Sequence, residues 1–392
     1  MHLAERVQKL PPYLFAGISK MIETKRAEGI DVISLGIGDP DLPTPEHILE
    51  SLKEATMDPA NHRYPESEGL PELREAIAGW YQTRHGVTLD PESEVVVLIG
   101  SKEGIGHLPL CLIDPGDVSL ITDPGYPVYE IATMFAGGES VRIPLREEDG
   151  WLPRLDEIDP AVAARARILW LNYPNNPTGA IADLEFFERA VTWAYKHDVV
   201  IAHDLAYADV TFDGYVAPSI LEVDGARDVA IEFNSLSKTF NMTGWRAAMA
   251  VGNTEVIDAL TRVKSNLDSG LPQAIQQMAI TALNDPRDSI TTHNVIYQRR
   301  RDRAVEVLQE LGLRVDSPKA SLYVWAKLPA DEPSSGAYAA RLVNETGVVL
   351  TPGAAYGMAG EGYVRLSLTI ADDRLEEALS RLSRFARGEA AL

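Results

Sequence analysis

Five short runs, Val95–Ile99, Val118–Ile121, Ile168–Leu171, Val199–Ala202 and Val229–Phe233, are β-branched or apolar almost throughout. Strands that read this way are covered on both faces, unlike the alternating strands of a half-exposed sheet. Helical patterns lie between them. In Asp183–Lys196, for example, Phe186, Phe187, Ala190, Val191 and Ala194 form one stripe. Strand, helix, strand over this span predicts an α/β fold, a mostly parallel central sheet flanked by helices. Ala247–Val251 adds one further strand.

Two amphipathic helices are expected ahead of the sheet. Pro45–Met57 has Thr44 as its cap and Pro in the first turn, and Leu70–Arg84 carries Leu70, Leu73, Ile77, Trp80 and Tyr81 at helical spacing. Asn284-Asp285-Pro286 breaks the pattern, and a long helix is predicted from Asp288 to Leu311. Strands at Leu322–Ala326 and Tyr363–Leu368 and a closing helix from Asp372 follow. The division expected is a large domain over 45–285 and a smaller α+β domain over 286–392. Residues 1–44 are expected to join the smaller domain and reach the functional cleft between the two.

At 392 residues the chain has room for two domains. Its formal charge of −22 excludes non-specific binding to nucleic acid or to an anionic membrane, since both need a basic surface. Any anionic ligand must therefore be held by a local basic pocket. The single Cys111 lies in an apolar run and reads as a core thiol in a reducing compartment. The N-terminus has charges at Glu5, Arg6 and Lys9 and no long apolar stretch, so neither a signal peptide nor a membrane span is expected, and the cytoplasm is the default.

The chemistry concentrates at Ser235-Leu236-Ser237-Lys238, followed by Gly244-Trp245-Arg246. An amine that forms a Schiff base, beside a pocket for a phosphate ester, needs this set: Lys as nucleophile, hydroxyls for phosphate oxygens, and a planar Arg fork. This stretch resembles the lysine signature of the class I/II, fold-type I aminotransferases, which use pyridoxal 5'-phosphate (PLP), and further motifs follow in that family's order along nearly the whole chain. The resemblance implies that Lys238 is the catalytic amine and that Ser235, Ser237 and Arg246 bind the phosphate.

Asp204 ends an apolar strand, where α/β proteins aim side chains into the ligand crevice. The resemblance makes it the partner of the PLP ring nitrogen, with Tyr207 and Asn176 at the phenolic oxygen. Asn176 belongs to Asn172-Tyr173-Pro174-Asn175-Asn176-Pro177-Thr178-Gly179, which also reads as a turn. Gly100-Ser101-Lys102-Glu103-Gly104 opens a helix after a strand, an anion-binding arrangement. Ser101 and Lys102 are implied at the phosphate, Tyr126 against the ring, and Tyr64 at the phosphate of a neighbouring subunit's cofactor. Arg365, opposite in face to Val364 and Leu366, is implied as a cleft-facing clamp for the substrate α-carboxylate, with the Gly38 backbone nearby. No His-x-x-x-His, Cys cluster or Gly-x-Ser-x-Gly elbow occurs, which argues against metal or serine hydrolysis.

Within the family, Leu3-Ala4-Glu5-Arg6, Leu10–Phe15, Gly36–Leu42 and Val263–Gly270 look like the LL-diaminopimelate aminotransferases of lysine biosynthesis. That branch implies ping-pong transamination with 2-oxoglutarate. It also implies Tyr13, Lys102 and Asn266 at the distal end of the substrate, and a homodimer with shared active sites. The chain departs from the pattern at Ser67, where the branch has a glutamate; Glu66 and Glu68 flank it. Alternatives on the same scaffold are an aspartate- or alanine-type aminotransferase and a PLP β-lyase. A PLP-sensing regulator would need an appended basic DNA-binding module, for which this acidic chain leaves little room.

Overall fold

A computed structural model describes residues 2–11 and 14–391, the side chains of 14–19 and 21 excepted. Seven strands build the central sheet: β1 (Val95–Ile99), β2 (Val118–Asp123), β3 (Glu139–Pro144), β4 (Ala166–Leu171), β5 (Val200–Asp204), β6 (Ala230–Ser235) and β7 (Ala247–Gly252). Their order is β1-β7-β6-β5-β4-β2-β3. Every neighbouring pair is parallel except those of β7, which runs antiparallel to both β1 and β6.

The apolar runs are explained by what covers them. Along β4, Leu169 and Leu171 point into a core shared with Trp80, Phe186 and Phe187, while Ile168 and Trp170 point into a second core with Ile105, Leu108 and Leu260. With both faces buried, each such side chain contributes about 1.5–3 kcal/mol, and no polar alternation can develop. β3 is the strand the pattern missed. It is the sheet edge, its residues Glu139, Arg142 and Pro144 are exposed, and so it carries no continuous apolar signal.

The expected helices form with small shifts at their ends. Leu184–His197 is capped by Asp183, whose Oδ1 accepts from the Phe186 amide at 2.8 Å, and Asp198 ends it in a left-handed conformation. The expected Thr44 cap does not form. The helix spans Glu46–Ala55 without a side-chain cap, and the Thr44 hydroxyl instead donates to the Asn241 carbonyl at 2.8 Å. That long-range bond ties the N-terminal segment to the loop that follows Lys238. The Cys111 thiol is half-buried beside the second core, and burial pushes it up to about 12.

A second sheet comprises β8 (Arg314–Val315), β9 (Tyr323–Lys327), β10 (Thr351–Pro352) and β11 (Tyr363–Ser367), antiparallel in the order β10-β11-β9-β8. Helices Ser289–Glu310 and Asp372–Ala386 pack on it in a third core, which Ile33 and Leu35 join from the N-terminal segment. Ile33–Ser34 pairs in parallel with Val348–Val349. Buried Arg300 fixes this segment further, donating to both carboxylate oxygens of Asp41 at 2.7 and 2.9 Å and to Asp372 at 2.7 Å. Among the described residues, no helix is long and apolar enough to cross a membrane.

Candidate active site

The carboxyl ends of β1, β4, β5 and β6 open on one cavity of about 500 Å³, where ligands of parallel α/β sheets are held. Gly38, Ser101, Lys102, Tyr126, Asn176, Asp204, Tyr207, Ser235, Ser237, Lys238 and Arg246, all anticipated from the sequence, line it. So do Ile37, Asp39, Asn172 and Tyr323, which were not.

Lys238 follows β6 in a short helix, Leu236–Thr239. Its Nζ donates to the Gly38 carbonyl at 2.9 Å. Burial lowers the amine from 10.5 to about 8; Asp39 opposes this, while Arg246 and Arg365 add to it. Part of the population is thus the neutral, nucleophilic form at physiological pH. Ser235 caps the same helix, its Oγ accepting from the Ser237 amide. The Ser237 hydroxyl is buried with no hydrogen-bond partner among the described residues. The guanidinium of Arg246 lies against Gly100, where a Cβ would come within 2.1 Å of Nη2 and where the backbone φ of +78° favours glycine. The helix Ser101–Leu112 begins at this point, and its first two residues line the cavity with Arg246; a helix start of this kind suits an anion. The Ser101 hydroxyl donates to the Asn234 carbonyl at 3.2 Å.

Asp204, at the end of β5, has asymmetric surroundings. Oδ2 accepts from the Tyr129 hydroxyl at 2.8 Å, whereas Oδ1 is buried without a hydrogen bond of good geometry. Burial raises its carboxyl, while the Tyr129 hydroxyl, the charge of His203 and the Ala206 amide pull it down. Tyr129 is itself stacked on Trp170, centroids 4.5 Å apart. Tyr207 shares a 3.0 Å hydrogen bond with Tyr323, and burial raises its phenol well above the ordinary value.

The loop after β4 is held by its own amides. Asn172 donates to the Asp204 carbonyl at 2.7 Å and accepts from the Asn176 amide at 2.7 Å, and Asn175 accepts from Thr178. The Asn176 side chain receives Arg365 Nη1 at 2.9 Å on its oxygen, so its Nδ2 is the end not engaged by that arginine.

Arg365, expected to face the cleft, does not line the cavity itself but touches Asn176 and Tyr323, which do. It is fully buried, with Nη2 donating to the Gly36 carbonyl at 2.6 Å and the guanidinium 3.9 Å from the ring centre of Tyr323 and 4.8 Å from that of Tyr356. A buried guanidinium must find acceptors, and these are the nearest. Tyr64 is 92% exposed and lies outside the cavity. Asn266 is exposed and donates to the Arg262 carbonyl of its own helix. Glu66 is exposed, while Ser67 and Glu68 are half-buried; none lines the cavity. Tyr13 lies outside the described residues.

Sequence reasoning missed the supports: Tyr129 holds Asp204, Tyr323 holds both Tyr207 and Arg365, and Asn172 pins the loop to β5. A signal for Tyr129 existed, three residues after Tyr126 at a helix start. For Tyr323 the signal was its two-residue offset from Trp325, the residue paired with Arg365 across the sheet.

The donor set suits PLP. An orphaned buried carboxylate oxygen, an orphaned buried hydroxyl, a helix start with an arginine on a glycine shelf, and a near-neutral lysine amine surround one space. These are the complements of a ring nitrogen, a phosphate ester and an aldehyde.

Comparison with known proteins agrees. Residues 30–382 match the family described as aminotransferase class I and II. An LL-diaminopimelate aminotransferase of Dehalococcoides mccartyi is 57% identical over 98% of this chain and 99% of its own length. One from Moorella thermoacetica is 52% identical over 98% of each. Among solved structures, substrate-bound BacF from Bacillus subtilis superposes with a TM-score of 0.94 at 38% identity, covering 98% of both chains. A probable N-succinyldiaminopimelate aminotransferase from Thermus thermophilus gives 0.89 at 38%, over 95% of this chain and all of that one.

Proposed function

The chain belongs to the class I and II aminotransferases, PLP-dependent enzymes of fold type I that act on amino and oxo acids, and from that premise we propose that it transfers an amino group from LL-diaminopimelate to 2-oxoglutarate. The observation that carries the proposal is the pairing of Lys238, its amine brought down by burial, with the unpartnered Oδ1 of Asp204 on one cavity. The relatives at 52–57% identity named for that substrate support the choice of donor.

PLP, when bound, supplies an electron sink for the charge left at the substrate Cα as its proton departs. In this reading Lys238 would hold its aldehyde carbon and Asp204 its ring nitrogen. Ser101, Lys102, Ser235, Ser237, Arg246 and the first amides of Ser101–Leu112 would hold its phosphate. Tyr207 and the Nδ2 of Asn176 would face its phenolic oxygen, and Tyr126 would lie against its ring. The chain's own work is then proton movement and orientation. Neutral Lys238 Nζ would accept the proton from the substrate Cα and deliver it to the former aldehyde carbon, the reverse transfer serving the oxo-acid half of the reaction. Arg365, which now donates to Asn176 Oδ1 and the Gly36 carbonyl, would donate to the substrate α-carboxylate beside the Gly38 backbone, so that the C–H bond meets Nζ. The carboxylate would displace one of the present guanidinium acceptors.

Tyr64 and Asn266 are surface residues of a single chain, which supports assigning both to the neighbouring cavity of a homodimer. In that assembly Asn266 of the partner subunit joins Lys102 and Tyr13 at the distal end of the substrate, and Tyr64 of the partner subunit reaches the phosphate. We further take 45–285 as the cofactor-bearing domain and 286–392, with the N-terminal segment, as the domain that closes over it. The cytoplasm is the compartment that suits a reaction on free amino acids. Glutamate formation from LL-diaminopimelate and 2-oxoglutarate tests the proposal. Turnover confined to aspartate or alanine, or pyruvate and thiol release from cystathionine, overturns the substrate.

A further inference from the structure

Directly behind Asp204, within the sheet, lies a fully buried ionisable pair that the mechanism above does not use: His203 on β5 and Glu232 on β6, cross-strand partners in register. His203 Nδ1 is 2.8 Å from Glu232 Oε2 and its Nε2 is 3.1 Å from the Tyr173 carbonyl. A carbonyl can only accept, so Nε2 carries a proton. Glu232 meanwhile accepts from the Tyr81 hydroxyl at 2.8 Å, the Ser219 hydroxyl at 2.9 Å and the Ile220 amide at 3.1 Å. Three donors besides His203 stabilise its carboxylate, so the proton shared with Nδ1 belongs to the ring. His203 therefore carries both ring protons and is cationic, buried one residue from Asp204.

We propose that His203 is a positioning residue that places a fixed positive charge beside Asp204 and locks the Asn172–Gly179 loop to the same strand. Successive side chains of a strand face opposite ways, so the imidazolium supports Asp204 from the far side of the sheet without touching the cavity. The charge order matters: the cation sits on the strand of Asp204, and its counter-ion sits one strand further away. The charge of His203 pulls the Asp204 carboxyl down against burial. At Glu232, burial alone would raise the carboxyl, but the hydrogen bond and charge of His203, the charge of His85 and the Tyr81 hydroxyl lower it. The ionisable and charged groups facing Asp204 are Tyr129, Tyr207 and His203, and those facing the pair are Tyr81 and His85. The edge of the Phe187 ring closes the remaining side, 4.9 Å from His203 between centroids. The Nε2 bond holds Tyr173 in the loop that presents Asn176, so one ring steadies two walls of the cavity.

The inference rests on the reading of Asp204 as the group at the PLP ring nitrogen, but its test needs no turnover. In ¹⁵N-histidine-labelled protein stripped of PLP, both ring nitrogens of His203 should read as protonated at pH 7, with the signal assigned by ring-to-backbone correlation. Carboxyl ¹³C titration of Asp204 should then move upward by about one pH unit in His203→Gln, the ~tenfold change expected on removing one nearby positive charge. A neutral ring at pH 7 in the wild-type chain overturns the proposal without any variant being titrated. So does an unmoved Asp204 midpoint in a His203→Gln chain that has merely lost thermal stability, which would mark a packing role. Failure of the diaminopimelate assay alone would leave both NMR results standing and would overturn only the substrate.

Discussion

An amine that burial has brought down to about 8 weakens the protein that holds it, and replacing Lys238 should reveal by how much. Between about 8 and 10.5 the folded chain binds fewer protons at this site than the unfolded chain does, so stability rises with pH across that window. At pH 7, below both values, the penalty is fully present. The gap between 10.5 and about 8 corresponds to roughly 3 kcal/mol. Lys238→Met keeps the aliphatic stem and removes the charge, while giving up the bond to the Gly38 carbonyl, for which about 1 kcal/mol is fair. The stripped variant should therefore be more stable than stripped wild type by ~2 kcal/mol at pH 7. The difference should shrink and change sign as pH approaches 10.5. Denaturant unfolding at several pH values reads this directly. Two stability profiles that run parallel from pH 7 to 10.5 would refute the reasoning, because a lysine free to stay protonated in the cavity gives no such divergence.

Tyr129→Phe leaves Asp204 Oδ2 without its donor, so PLP retention should weaken at a loss of about 1.5–3 kcal/mol, as equilibrium dialysis would measure. Gly38→Ala puts a methyl 2.0 Å from the Tyr323 hydroxyl oxygen, forcing that ring off Tyr207; kcat should fall by ~tenfold or more with little change in melting temperature. Lys264 is wholly buried between Glu103, at 3.1 and 3.2 Å, and Asp268, at 3.0 Å. Lys264→Met leaves two carboxylates facing one another and should lower unfolding stability by about 3 kcal/mol, with partial recovery in acid as they protonate.

The layered sheet was readable because each of its inner strands is buried on both sides, which forces a composition that turns and surface helices lack. β3 was not, since an edge strand such as Glu139–Pro144 satisfies solvent on one flank and shows no such bias. The cavity-lining residues were anticipated because their motifs resemble a known family's and several of them stand at strand ends. The supports behind them were hidden: Tyr129, Tyr323 and His203 act through contacts between residues 75, 116 and 29 positions apart, and nothing local marks a tyrosine as a donor to a distant carboxylate. For Arg365, alternation along the strand gave its face but not the Asn176 and Gly36 oxygens that its guanidinium bonds. Thr44 departs from expectation, since a residue placed to cap a helix bonds instead to a carbonyl 197 residues away.

The reversed strand β7 has a consequence for how such an enzyme can diversify. A parallel neighbour would require a crossover of a dozen or more residues, which would carry the arginine far along the chain from the lysine. Doubling straight back keeps Ser235, Ser237, Lys238 and Arg246 on one contiguous stretch that leads from β6 into β7, itself set between β6 and β1. One inserted residue there would flip the alternation of a strand buried on both faces, so this stretch is frozen as a cassette. Asn266 sits apart from it, exposed near the end of the helix Thr254–Leu267. Selectivity is thus free to evolve by edits that never touch the grip on the coenzyme.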